Sequence, residues 1–231
     1  MPVQEPSDSL FTNGVEIRLR IFKDFWSATT HFLGFIAAIV GLVLLLVLCE
    51  PGAARVTSAA IYGGALVALF GASSAYHFFD LGERGNRWLQ RIDHIGIYLL
   101  IAGTYVPALV LMLDGAWRMT TLSVVAVMAT AGVLMKLLWM DCPEWLSTGL
   151  YLVFGWFGII PFVKFFPELS FWSAAWFLAG GAAYTVGAAV FARQWPDPWP
   201  ERFGHHEVWH LLVLGGAVSH YLFVMNLVTT A

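Results

Sequence analysis

Near the end of this 231-residue chain stands Gly204-His205-His206-Glu207-Val208-Trp209-His210, at the head of the last apolar stretch. His206 and His210 are four apart, so on a helix their rings lie one above the other on one face and their nitrogens can meet at a single cation. Neutral imidazole is the commonest protein ligand for zinc, and a pair at this spacing supplies half of a tetrahedral site. Read literally, the same stretch is His-Glu-x-x-His, the motif in which the Glu serves a zinc protease as general base. Two histidines near a membrane surface can equally be solvated or bonded to neighbouring helices. What the pair does therefore depends on what the rest of the chain brings to it.

The elements that must do the bringing are membrane helices. The chain is 59% hydrophobic and 12% charged, with a mean hydropathy of +0.73, far more apolar than an ordinary soluble domain. A spanning helix needs about 20 mostly apolar residues. Seven runs without Asp, Glu, Lys or Arg meet or approach that length: Phe25 to Cys49, Val56 to Phe79, His94 to Leu113, Met119 to Met135, Trp145 to Val163, Leu169 to Ala192 and Val208 to Ala231. Between them lie short stretches with turn chemistry, such as Glu50-Pro51-Gly52, Gly82-Glu83-Arg84-Gly85-Asn86 and Asp141-Cys142-Pro143-Glu144. The expected fold class is all-α, a polytopic membrane protein of seven transmembrane helices. Residues 1–24 form a polar segment ahead of one transmembrane domain, 25–231. No cleaved signal peptide is read in that segment, and the first span does the targeting.

Lys and Arg set the orientation. Nine fall on the side that holds the amino terminus (Arg18, Arg20, Lys23, Arg84, Arg87, Arg91, Lys136, Arg193, Arg202), against Arg55, Arg118 and Lys164 on the other. The amino terminus is expected in the cytoplasm and the carboxyl terminus outside, in the cell inner (plasma) membrane. The net charge of -3 and the scattered basic residues do not suggest a nucleic-acid partner. Cys49 and Cys142 are expected near opposite faces, neither as a disulfide partner nor as a metal ligand. Small residues four apart (Gly34 with Ala38, Ala37 with Gly41, Ala183 with Gly187) would let helices approach closely, and Pro107 and Pro161 are expected to bend their segments.

With this topology distant residues come to one level. His77 lies near the cytoplasmic end of the second span, Asp93 at the start of the third, and His206 and His210 at the start of the seventh. Ionisable groups within a span cost about 2.5–3.5 kcal/mol at its centre and by default mark function. A cation gives them something to bind. Three imidazoles with one exchangeable position describe a catalytic zinc, whereas magnesium and calcium prefer all-oxygen shells. Ser73, one turn before His77, can hydrogen-bond a ligand or a water at the site, and Asp93 can accept a proton. Alternatively Ser73 is a packing hydroxyl and Asp93 a partner of Arg87 or Arg91. His31, His94, His205 and His220 are expected to pack or hydrogen-bond and not to ligate.

Ser73-x-x-x-His77, Asp93-His94-Ile95-Gly96-Ile97-Tyr98 continuing to Pro107, and His206-Glu207-Val208-Trp209-His210 together resemble the hemolysin III proteins of bacteria, which belong with the progestin and adipoQ (adiponectin) receptor family. More distantly the pattern is similar to alkaline ceramidases. The resemblance implies seven helices, an inside amino terminus, Zn2+ on His77, His206 and His210, and assistance by Asp93 and Ser73. It also implies membrane lipid as substrate or ligand, with hydrolysis of a lipid amide in ceramidase-like relatives and a role in membrane-lipid homeostasis. In the first span Asp24 and His31 match the family pattern, but Ser27 stands where Asn is usual.

The leading expectation is a zinc-dependent hydrolase acting on lipid C–N bonds. A receptor, pore-former or membrane sensor with structural zinc is the alternative. An intramembrane protease ranks below both, because only His220, ten residues on, remains as a downstream ligand and Gly216 occupies the third histidine position of the metzincin pattern.

Overall fold

The structure is a computed structural model that describes residues 10–12, 15–17, 23–200 and 202–230. Among these residues the helices are α1 (Phe25–Leu48), α2 (Ala53–Phe78), α3 (Gly82–Met112), α4 (Gly115–Leu138), α5 (Glu144–Trp156), α6 (Ile159–Phe165), α7 (Phe171–Arg193) and α8 (His205–Thr229). They make seven segments long and apolar enough to cross a membrane, α5 and α6 together forming the fifth, Glu144–Glu168. A 24-residue helix such as α1 extends about 36 Å, enough for a hydrocarbon core of about 30 Å. The described residues also include a short antiparallel pair, β1 (Leu10–Thr12) and β2 (Val15–Ile17), with Leu10 opposite Ile17. A search for apolar spans passes over it, although Asn-Gly at 13–14 is the strongest short-range hairpin signal.

One element differs from the sequence expectation. The third apolar run begins at His94, but α3 starts at Gly82, so Glu83 to Asn86 are helical and not a turn. Hydropathy marks where a helix enters lipid, whereas Glu, Arg, Leu and Gln are good helix formers wherever they lie. The fifth span breaks at Phe157-Gly158, one turn before Pro161, in the segment that this proline is expected to bend. Pro161 has no N–H to give the Phe157 carbonyl, four residues back, and its ring crowds that oxygen. Ile160 N–H donates to it instead, at 3.1 Å. α3, by contrast, runs through Pro107.

The bundle is apolar outside and carries its polar groups inside. α1 turns Leu33, Val40, Val43 and Val47 outward, while its buried face is Ser27, Ala28, His31, Gly34, Ala38, Gly41 and Leu45. α1 packs on α2 and α8, α2 on α3, α3 on α4, and α7 on α8. The small residues of α1 permit the approach, since a Cβ on Gly34 would come within 2.7 Å of Leu214 and one on Gly41 within 2.9 Å of Tyr221. Tyr221 uses that closeness to donate its hydroxyl to the Gly41 carbonyl at 3.0 Å. At one end of the bundle Glu50 N–H bonds the Val228 carbonyl at 2.9 Å, and at the other Asp24 N–H bonds the His77 carbonyl at 3.0 Å. The second tie draws the start of α1 to the end of α2, where the histidines lie.

Candidate metal centre

His206 and His210 occupy the first two turns of α8, where helical spacing aims both rings the same way. Across from them His77 stands in the last turn of α2. The three rings converge. Ring centroids are 5.3 Å apart for His77 and His206, 4.9 Å for His77 and His210, and 4.6 Å for His206 and His210. One nitrogen from each lies within 4.8 Å of the other two. His77 and His210 are buried and His206 half-buried.

The hydrogen bonds leave these nitrogens free for a cation. His77 Nδ1–H donates to Asp24 Oδ2 at 3.0 Å, which fixes the tautomer and leaves Nε2 with its lone pair. His206 Nε2 and both nitrogens of His210 are buried without a hydrogen-bond partner. A buried polar atom left unsatisfied costs about 1–3 kcal/mol, and a group that offers one nitrogen from each of His77, His206 and His210 to a common point suits a divalent ion that takes imidazole. The group is therefore one that could hold a metal, and its all-nitrogen character matches zinc better than magnesium or calcium.

Supporting residues surround the triad. The His31 ring stacks on His210 at 3.7 Å between centroids and 14° between planes, while its Nδ1 is hydrogen-bonded to Ser73 Oγ at 2.7 Å. Asp24 precedes α1, and the hydrogen bond from His77 holds its carboxyl below the usual 3.8, against the opposing effect of partial burial. The carboxylate is thus an ionised acceptor at neutral pH, in the position of the carboxylate that orients a metal-bound histidine through its second nitrogen. Sequence reasoning noted Asp24 without giving it a task, and its place just ahead of the first span was the available signal. Asp24→Asn is expected to weaken zinc binding about 10- to 100-fold, measured by competition with a chromophoric chelator. Unchanged affinity would remove Asp24 from the site.

Glu207 faces elsewhere. Its Oε2 accepts the Gly204 N–H at 2.8 Å, capping α8, and its Oε1 accepts the Ser27 hydroxyl at 2.9 Å. Ser27, the residue that departs from the expected Asn, is fully buried and ties α1 to the start of α8 through this contact. With both oxygens engaged, Glu207 is arranged as a structural cap and not as a base aimed between His206 and His210.

Asp93 is buried on α3 and lines, with Ser73 and His31, a largely apolar cavity of about 410 Å³. It stands within electrostatic reach of His77 but outside the close group of three imidazoles. Neither Arg87 nor Arg91 pairs with it. Arg87 reaches Asp141 at 3.9 Å, and Asp93 Oδ2 lies 4.0 Å from Nδ1 of His94, a ring nitrogen that is itself bonded to the Gln90 carbonyl. His94 and His220 bond the Gln90 and Phe177 carbonyls at 2.8 and 3.2 Å, as packing histidines do. Both cysteines are free.

Residues 19–221 match the family model described as Haemolysin-III related. The chain is 30% identical over 201 residues to Hemolysin-3 of Bacillus cereus, covering 86% of this chain and 89% of that protein. It is 31% identical over 207 residues to the Hemolysin-3 homolog of Bacillus subtilis (strain 168), covering 89% and 94%. The adiponectin receptor protein of Drosophila melanogaster is 30% identical over 225 residues, spanning 87% of this chain and 50% of the receptor. The family match contains every residue of the histidine cluster and its surroundings.

Proposed function

This chain belongs to the haemolysin-III related family of multi-pass membrane proteins, and from that premise we propose that it is a zinc-dependent hydrolase of a membrane-lipid amide. The observation that carries the proposal is the convergence of His77, His206 and His210, with partnerless nitrogens on His206 and His210, at one end of a bundle whose apolar cavity is lined by Asp93 and Ser73. The excess of Lys and Arg beside the amino-terminal segment supports a cytoplasmic amino terminus in the plasma membrane, with the centre at the cytoplasmic level.

A zinc ion on three imidazoles supplies Lewis acidity, polarising an amide carbonyl and making a water a stronger acid. The chain's own residues do the rest. His77, His206 and His210 hold the ion, Asp24 fixes the ring of His77, and His31 braces His210. Asp93 accepts the proton of the attacking water and returns it to the leaving amine. Ser73 donates a hydrogen bond to the oxygen on which charge develops. The apolar wall of the cavity takes the acyl chain and keeps bulk water from the reacting bond.

The test is cleavage of an N-acyl sphingoid amide by purified protein of known zinc content, beside a chelated sample. Release of fatty acid that is lost on chelation and restored by zinc supports the proposal. Protein that keeps its zinc yet never releases fatty acid, and that loses thermal stability on chelation, belongs to the structural-zinc reading. Glu207→Gln separates hydrolase from protease. Because Glu207 caps α8 and bonds Ser27, the variant is expected to keep turnover within about threefold and to lose about 0.5–2 kcal/mol of stability. A protease dependent on that Glu as general base would lose activity almost entirely.

A further inference from the structure

Lys136, in the last turn of α4, is 2% exposed. Its ammonium group donates to Ser147 Oγ at 2.6 Å and to Cys142 Sγ at 3.4 Å, both buried at the start of the fifth span, and Cys142 Sγ lies 3.0 Å from Ser147 Oγ. These partners are uncharged in their ordinary forms. Among the described residues no carboxylate pairs with Lys136, since Asp141 turns outward to Arg87 and Glu144 is exposed. A buried cation within a membrane protein is expected to have a counter-charge or a function.

Two tyrosines stand near Cys142, a partner of Lys136. The Tyr98 and Tyr151 rings are 4.7 Å apart between centroids, and both hydroxyls are buried without a hydrogen-bond partner. Both stand within electrostatic reach of Cys142. Lys136, Cys142, Ser147 and Tyr151 line the same 410 Å³ cavity as Ser73 and Asp93. At this end the cavity is offered an ammonium N–H in excess of its two bonds and the Tyr151 hydroxyl, and of the carboxylates that also line it, Asp93, Asp141 and Glu144, none pairs with Lys136. That is the donor arrangement that charge-assisted hydrogen bonds to a carboxylate or phosphate require.

We propose that the Lys136, Ser147 and Tyr151 end of the cavity seats the anionic head of a single-chain amphiphile, carboxylate or phosphate, with its alkyl chain along the apolar wall. The inference rests on reading the cavity as a lipid chamber and not on zinc or on hydrolysis. A Lys that only neutralises the carbonyl end of α4 would show no selectivity among ligands.

Binding of radiolabelled palmitate, hexadecyl phosphate and hexadecanol to the full-length protein in a neutral detergent tests it. At least one of the anions is expected to bind about tenfold or more tightly than the alcohol, and the stronger of the two distinguishes a fatty-acid carboxylate from a lipid phosphate. Lys136→Met is expected to bring that preference below about threefold, and Tyr151→Phe to reduce it in part. Should Lys136→Met not fold, Tyr151→Phe and Ser147→Ala, which remove only hydroxyls, carry the comparison. Equal binding of anion and alcohol by the wild type, or a preference that survives these substitutions, overturns the anion seat while leaving the lipid chamber standing. Binding of none of the three overturns both.

Discussion

Replacing His210 with alanine is expected to reduce bound zinc from about one ion per chain to less than a tenth of that. The reason is geometric. His210 is 1% exposed, neither of its nitrogens has another partner, and it closes the triangle between His77 and His206. Two imidazoles remain in the variant, too few for a three-histidine centre. Loss of the ring also leaves a void against His31, for which a stability cost of about 2–5 kcal/mol is expected by comparison with other buried rings. His31→Ala is the control, because it removes the stacked ring and the bond to Ser73 while leaving the triad intact. Metal analysis of the two variants beside the wild type, with Tm measured on each, separates a ligand from a packing neighbour. Full zinc in His210→Ala would remove the triad as the metal centre, and with it the chemistry built on it.

The second large effect is on turnover alone. Asp93→Asn conserves shape and is expected to keep about one zinc per chain, because Asp93 lies outside the close group of three imidazoles. Its amide cannot accept a proton, so hydrolysis of the lipid amide should fall by a factor on the order of 10²–10⁴. The pairing of retained metal with lost rate is the informative result. Loss of zinc would make Asp93 a ligand, and full activity would remove it from the reaction. Asp93 is buried in the apolar cavity next to Ser73 and within reach of His77, so a role as a partner of Arg87 or Arg91 does not account for its position. The Glu207 contacts point the same way. The residue that a literal His-Glu-x-x-His would make the base has both oxygens committed to Gly204 and Ser27, which in the proposed reaction leaves the proton-accepting task to Asp93.

What the sequence determined by itself is whatever depends on neighbours along the chain. Apolar runs that meet or approach the length of a bilayer crossing, separated by turn residues, point to seven spans, and all seven are present. Spacing of four on a helix puts His206 and His210 on one face, and alternation of direction brings His77 to their end of the bundle. Pro161 marked the weak point of the fifth span for a local reason as well, the missing N–H. Hydropathy could not show that α3 begins twelve residues before its apolar run, because charged residues form helix as readily as apolar ones.

The tertiary structure decided what depends on how each helix is rotated and how deep it sits, and those settings come from packing between helices and not from composition. Small residues on α1 bring its buried face against α8, and only then does His31 stack on His210 and Ser27 reach Glu207. The bond from Asp24 N–H to the end of α2 sets that carboxylate against His77. Lys136, counted in the sequence as one more positive charge on the amino-terminal side, is turned inward against Ser147 and Cys142. A local pattern names the groups capable of chemistry, but which of them share a cavity is fixed by contacts between residues as much as 180 positions apart.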